Sequence, residues 1–259
     1  MESSASIPSS PSPTLRVCAL YPELLNIYAD RGNLLVLERR CAWRGIGFRA
    51  SASGLGDALD PEAHDLFYIG GGQDRDQRLC AADLLATKAA ALREAGARGK
   101  VVLGVCGGYQ LLGHSYALEG ETIAGVGLLD AHTVREPGPR LIGNVAIEVS
   151  PTLLAGDDGP PAVLAGFENH GGRTHLGAGA SPLGRVLRGH GNDGRSGLEG
   201  AMQGHTIGTY LHGPLLPKNT WFADWLIATA LGIDRTRLSP LGDELEQLAH
   251  AGARRAAGV

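Results

Sequence analysis

Cysteine is scarce in this sequence. Its 259 residues include four, Cys18, Cys41, Cys80 and Cys106, and no two of them form a CxxC pair. That spacing argues against a zinc ribbon or a dithiol redox motif and fits a reduced compartment, with a cytoplasmic location expected. Positive charge is also in short supply. The formal net charge of -4 argues against electrostatic binding to nucleic acid. No apolar run approaches the roughly 20 residues that a membrane-spanning helix needs. The first 14 residues lack the basic and apolar regions of an export signal, and their Ser/Pro composition is expected to form a disordered tail. A Walker pattern, GxxxxGK[ST], is absent throughout. The one GxGxxA match, Gly45 to Ala50, follows a helix-like stretch and leads into a strand, the reverse of a dinucleotide-binding turn.

What the chain has in quantity is glycine, 39 residues, with hydrophobic residues at 43% and charged residues at 19%, the balance of a soluble enzyme. After the tail, short apolar runs alternate with amphipathic or alanine-rich stretches, which predicts an α/β fold with a mostly parallel sheet flanked by helices. Strands are expected at Leu15 to Leu20, Ile46 to Ala50, Asp65 to Ile69 and Val101 to Val105. Helices are expected over Gly32 to Trp43, Gln77 to Ala95 and Tyr109 to Tyr116. The second half is richer in strands, at Leu141 to Val149, Val163 to Glu168, Arg185 to Arg188, Leu198 to Gln203 and Thr206 to Leu211. Helices over Trp221 to Leu231 and Leu241 to Ala249 close the chain. Residues 15–250 read as one domain, with Pro151 to Pro161 a surface loop.

The most informative stretch is Val101-Val-Leu-Gly-Val-Cys-Gly-Gly-Tyr-Gln-Leu-Leu-Gly113. A buried strand delivers Cys106 to a sharp turn between glycines, and a helix begins at once, the arrangement of a nucleophile elbow. A core cysteine at a strand end would not need Gly104, Gly107 and Gly108 around it. The helix N-terminus is expected to lower the thiol pKa and favour the thiolate, and its backbone N–H groups to stabilise an oxyanion. Cys18, Cys41 and Cys80 lack such surroundings and are assigned to packing.

A second glycine turn, Gly70-Gly-Gly-Gln-Asp74, ends the preceding strand, on the sheet edge where α/β proteins bind ligands. Its N–H groups can complete an oxyanion hole opposite Cys106. A thiol nucleophile also needs a proton acceptor. Of nine histidines, His212 in Gly208-Thr-Tyr-Leu-His-Gly-Pro214 is the best candidate, because it closes an apolar strand at a Gly-Pro turn. His170 in Gly166-Phe-Glu-Asn-His-Gly-Gly172 is second. The other seven are assigned to the surface or to structure. Nothing in the pattern indicates a metal site.

Together GVCGGYQLLG, GFENHGG and GTYLHGP resemble the class I glutamine amidotransferases of the cobyric acid synthase type. Leu20 to Ile46 narrows the resemblance to the glutaminase subunits of lipid II isoglutaminyl synthases. The resemblance implies the flavodoxin-like three-layer fold of that class, hydrolysis of L-glutamine, and transfer of ammonia to the D-glutamate α-carboxylate of the peptidoglycan stem peptide. It makes Cys106 the nucleophile and His212 the base, with Gly71 and Gly107 as oxyanion donors. Arg140 is expected to hold the glutamine α-carboxylate, and Gln110 and Asn169 to contact substrate. No cofactor is expected on this chain. ATP and Mg belong on a Mur-ligase-like partner in a heterodimer, brought to the inner face of the membrane by the lipid-linked substrate. One departure stands out: Pro214 occupies the position, two beyond the histidine, where most class I glutaminases carry an orienting glutamate. Only a short segment precedes the similarity, where cobyric acid synthases carry a P-loop domain, and this favours the cell-wall acceptor. The alternatives are another acceptor, such as a corrin, and a cysteine hydrolase of the same fold.

Overall fold

A strand that is apolar on both faces needs cover on both, and the first half of the chain supplies it. The computed structural model describes residues 12–27, 30–118, 120–153 and 162–259. Strand β1 (Thr14–Leu20) is followed by α1 (Arg31–Trp43), β2 (Gly47–Ser53) and β3 (Leu66–Ile69). Helices α2 (Asp74–Asp83) and α3 (Ala89–Ala97) are joined through a π turn at Leu84–Lys88, and β4 (Val101–Val105) runs into α4 (Gly107–Leu112). Then come β5 (Ser115–Leu118), β6 (Glu121–Ala124), β7 (Ala131–Val134), β8 (Leu141–Val149), β9 (Val163–His170), β10 (Arg173–Leu176) and β11 (Gly184–Arg188). Strands β12 (Leu198–Glu199), β13 (Ala201–Gln203) and β14 (Thr206–Thr209) precede the helices α5 (Leu215–Lys218), α6 (Thr220–Leu231) and α7 (Glu244–Ala257).

The central sheet has the order β13-β14-β4-β3-β1-β2, parallel except for β13 at its edge. Alternate residues of each strand point to opposite faces. Leu15 and Val17 therefore pack with Leu37 of α1 and Phe222 and Leu226 of α6, while Cys18 and Leu20 pack with Leu84 and Leu92 on the other side. This makes three layers, helix on sheet on helix. Two further four-stranded sheets, β10-β7-β5-β6 and β12-β11-β8-β9, are built beside it. Arg40 of α1, 1% exposed, ties the helical layer together through paired bonds to Asp224 and Asp243. A buried guanidinium is tolerated because two carboxylates satisfy it.

Most of the expected elements are present, with instructive differences. The helix expected over 77–95 starts at Asp74 and is interrupted by the π turn, where the buried Lys88 reaches back to Asp83 at 2.5 Å. The helix expected to reach Tyr116 stops at Leu112, because the next residue, Gly113, is extended and too close to the Ala131 carbonyl to carry a side chain. Residues 115–118 are instead a strand, held by pairing with β6 and β7. The strand expected over 198–203 is broken at Gly200, whose φ of +66° disrupts a strand. The last helix begins at Glu244, beyond Pro240, and runs on to Ala257. Residues 1–11 of the expected tail lie outside the described residues, and Thr14 already belongs to β1. Of the expected loop over 151–161, residues 154–161 also lie outside them.

Candidate active site

Cys106 sits between β4 and α4 with φ +53° and ψ -108°, a conformation that a residue with a side chain rarely adopts and that costs on the order of 1–3 kcal/mol. Its surroundings hold it there. Its N–H donates to Thr209 O at 2.8 Å, and its carbonyl accepts from Gln110 N at 3.2 Å. Gly108 N–H donates to Gly70 O at 3.1 Å, so α4 is pressed onto the end of β3. A Cβ at Gly108 would overlap the Ile69 carbonyl, which is why the elbow needs glycine at that position. The sulfur lies beside the Gly107 N–H, as the sequence suggests, but the expected thiolate does not follow. Burial pushes the thiol up to about 12, with Asp30 adding to the rise, while Gly107 N–H and Arg140 oppose it. A six-residue helix has too small a dipole to overcome that desolvation.

His212 reaches the same sheet edge by a separate path. The parallel pairing of β14 with β4, Thr209 opposite Val105, sends residues 106 and 210–212 out over one end of the sheet. An antiparallel bridge to Phe167, with bonds of 2.9 and 3.1 Å, fixes its backbone, and the Phe167 ring stands edge-on at 5.9 Å. His212 is 1% exposed. Burial depresses its pKa to about 4, helped by His170, Lys218 and Arg140. Burial thus works toward the neutral form of both groups, and a neutral imidazole is the form that accepts a proton. Arg140 acts on both groups.

His170, the second candidate, also lines the cavity onto which Cys106 opens, with its ring held by packing. Its ring lies flat on Tyr210 at 3.6 Å, Nδ1 donates to Gly172 O at 2.9 Å, and Nε2 is 3.9 Å from Glu168 Oε2. Of the remaining histidines, His114, His132, His175, His190 and His205 are exposed.

Cys106 opens on a cavity of about 250 Å³, a size suited to one small metabolite. Arg140, Asn169 and Gln110 line it with Cys106, as the sequence suggests. Arg140 is oriented by Asn169, to whose side-chain oxygen Nε donates at 2.8 Å and to whose carbonyl Nη2 donates at 2.9 Å. Gln110 accepts from Gln77 at 2.7 Å and donates to the Tyr210 hydroxyl at 3.2 Å. In the glycine turn, Gly72 lines the cavity, whereas the Gly71 N–H expected to face the oxyanion is given to Asp30 Oδ2 at 2.6 Å. Sequence reasoning missed Gln77, Arg135 and Asp30. Arg135 also lines the cavity, and its place five residues before Arg140 is the one signal that could have found it.

An elbow cysteine at the carboxyl end of a parallel sheet, over a small cavity with an arginine and a glycine turn, is the arrangement expected of an α/β enzyme that works through a thiol. Residues 16–220 match the CobB/CobQ-like glutamine amidotransferase domain, and the chain belongs to that family. It is 39% identical over 207 residues, 80% of each chain, to the lipid II isoglutaminyl synthase (glutamine-hydrolyzing) subunit GatD of Staphylococcus aureus strain N315. The subunit of the same name from Streptococcus pneumoniae is 36% identical over 218 residues, 84% of this chain and 80% of the relative. Among solved structures, PurLQS of Thermotoga maritima is similar in fold, with a TM-score of 0.56 at 21% identity over 84% of this chain and 95% of that one. A glutamine amidotransferase of the same organism gives a TM-score of 0.53 at 18% identity over 94% of both chains. Among the described residues no helix is long and apolar enough to cross a membrane.

Proposed function

We propose that this chain is the glutamine-hydrolysing subunit of a lipid II isoglutaminyl synthase, and that it supplies ammonia to a Mur-ligase-like partner. The observation that carries this reading is the strained Cys106 facing a cavity with Arg140, in a chain 39% identical over 80% of its length to a subunit of that name. ATP and Mg act on the partner, which activates the D-glutamate α-carboxylate.

Arg140 holds the glutamine α-carboxylate and leaves the side-chain amide over Cys106. As Sγ attacks the amide carbon, neutral His212 takes the thiol proton, so no free thiolate is required. The oxyanion faces the N–H groups of Gly107 and Gly72. The C–N bond then breaks, His212 returns its proton to the departing ammonia, and water hydrolyses the thioester to glutamate. Pro214 stands where an orienting glutamate is usual, and we assign that carboxylate to the partner subunit.

Ammonia release from glutamine by the purified chain, alone and with the ligase subunit, tests this. Slow release alone and at least about tenfold stimulation in the complex are expected, the size of effect that aligning a general base produces. Full activity without the partner counts against the borrowed carboxylate, and no release in the complex counts against the glutaminase.

A further inference from the structure

Asp30 has no part in the steps above, yet it is 1% exposed and stands across Gly71 from Cys106. Its Oδ2 accepts the Gly71 N–H at 2.6 Å, while Oδ1 has no hydrogen-bond partner among the described residues. The other side of the same glycine is also held, since Ile27 N–H donates to Gly71 O at 3.2 Å. A Cβ at Gly71 would lie 3.2 Å from Cys106 Cβ and 3.4 Å from Asp30 Oδ2, so carboxyl, turn and nucleophile meet at one point. Beyond the clamp, Gly72 N is 3.3 Å from where a Gly107 Cβ would stand, which brings the next N–H of the turn beside the first residue of α4. Three consecutive glycines carry no side chain that could fix their peptide planes. Asp30 fixes one of them.

We propose that Asp30 is a positioning residue of the glutaminase site: by clamping Gly71 it aims the Gly72 N–H at the substrate carbonyl oxygen, and its charge governs how readily Cys106 yields its proton. The first half of the proposal rests on the glutaminase reading, and the second on the meeting of Asp30 and Cys106 across Gly71, whatever the substrate. The titratable groups around Cys106 are Asp30, Asp74 and Arg140, the phenols of Tyr68 on β3 and Tyr210 just beyond β14, and the His212 ring at the same end of the sheet. Asp30 itself faces Gly71 N–H and the Tyr68 hydroxyl, which Asn33 also contacts at 2.8 Å. Burial lifts the Asp30 carboxyl to about 7, opposed by Gly71 and Tyr68. It therefore changes charge near neutrality, and its anion opposes a second negative charge on the sulfur.

The test is the pH dependence of Cys106 alkylation by iodoacetamide, read by peptide mass spectrometry on the full chain, together with kcat and KM for ammonia release by the complex. Asp30→Asn keeps an oxygen for Gly71 and loses the charge. Its alkylation profile should move to lower pH, by on the order of one unit, and its kcat should fall less than that of Asp30→Ala. Asp30→Ala loses the acceptor, and its kcat should drop about tenfold or more with little change in KM. An unmoved alkylation profile in Asp30→Asn, or wild-type kcat in Asp30→Ala, overturns the proposal. If Asp30→Ala does not fold, the Asp30→Asn profile decides. A shifted profile in a chain that never releases ammonia overturns the glutaminase reading and supports the coupling of Asp30 to the thiol.

Discussion

The floor and the wall of the cavity are made in different ways. The floor, Cys106 and the glycine turn, comes from the ends of β3 and β4, strands buried at every residue, with His212 beyond β14. The wall, including Tyr116, Arg135, Arg140 and Asn169, comes from the two added sheets and the segments between them. On the floor, backbone atoms lie too close for any Cβ at Gly108, and Cys106 keeps a strained φ between hydrogen bonds to Thr209 and Gln110. The wall holds its arginine differently: Arg140 is exposed and is steered by one asparagine. Under the proposed function the contrast becomes a division of labour, with bond making on the floor and substrate recognition on the wall.

Variants can break that division. Cys106→Ala should abolish glutamine hydrolysis, a loss of about 10³-fold or more in kcat, with circular dichroism unchanged. His212→Ala should lower kcat by roughly 10²–10⁴-fold and leave KM near its starting value, whereas His170→Ala should cost less, because that ring packs on Tyr210. On the wall, Arg140→Gln removes a charge-assisted bond to the glutamine carboxylate. KM should rise about 10- to 100-fold with a smaller change in kcat, measured by steady-state ammonia release. If Arg140→Gln lowers kcat and spares KM, floor and wall are not separable.

The smallest effect lies beneath the floor. Buried Glu199 accepts from Tyr210 N at 2.7 Å and from the Thr209 hydroxyl at 3.1 Å, and burial raises its pKa from 4.5 to about 8. The folded state therefore binds the extra proton between those values, so the stability this group confers is present below 4.5 and is lost as pH rises through about 8. Glu199→Gln cannot ionise, and its thermal midpoint should decline less over that range than the wild type's. An equal decline in both proteins would remove Glu199 from the account.

The floor was legible in the sequence because it is local. Five apolar residues, then Cys-Gly-Gly, then a helix is a pattern contained within 13 residues, and GTYLHGP signals its strand end in the same way. The wall was mostly not legible. Strands β5, β6, β7 and β10 are four residues each and are stabilised by partners elsewhere in the chain, so neither their periodicity nor their length announces them. Arg140 came from resemblance, and Arg135 was missed. The expected lowering of the Cys106 pKa is reversed for a physical reason: a helix end is visible in sequence, but the burial that opposes it is a property of the folded whole.

The central claim is that the Cys106 sulfur attacks a glutamine side chain bound in this cavity. Incubation of the chain with 6-diazo-5-oxonorleucine, followed by intact-mass and peptide mass spectrometry, tests it most directly. The account predicts a single adduct on the Cys106 peptide, absent from Cys106→Ala and suppressed by excess glutamine. Label on Cys18, Cys41 or Cys80 in place of Cys106, or labelling of Cys106 that glutamine does not slow, would contradict it.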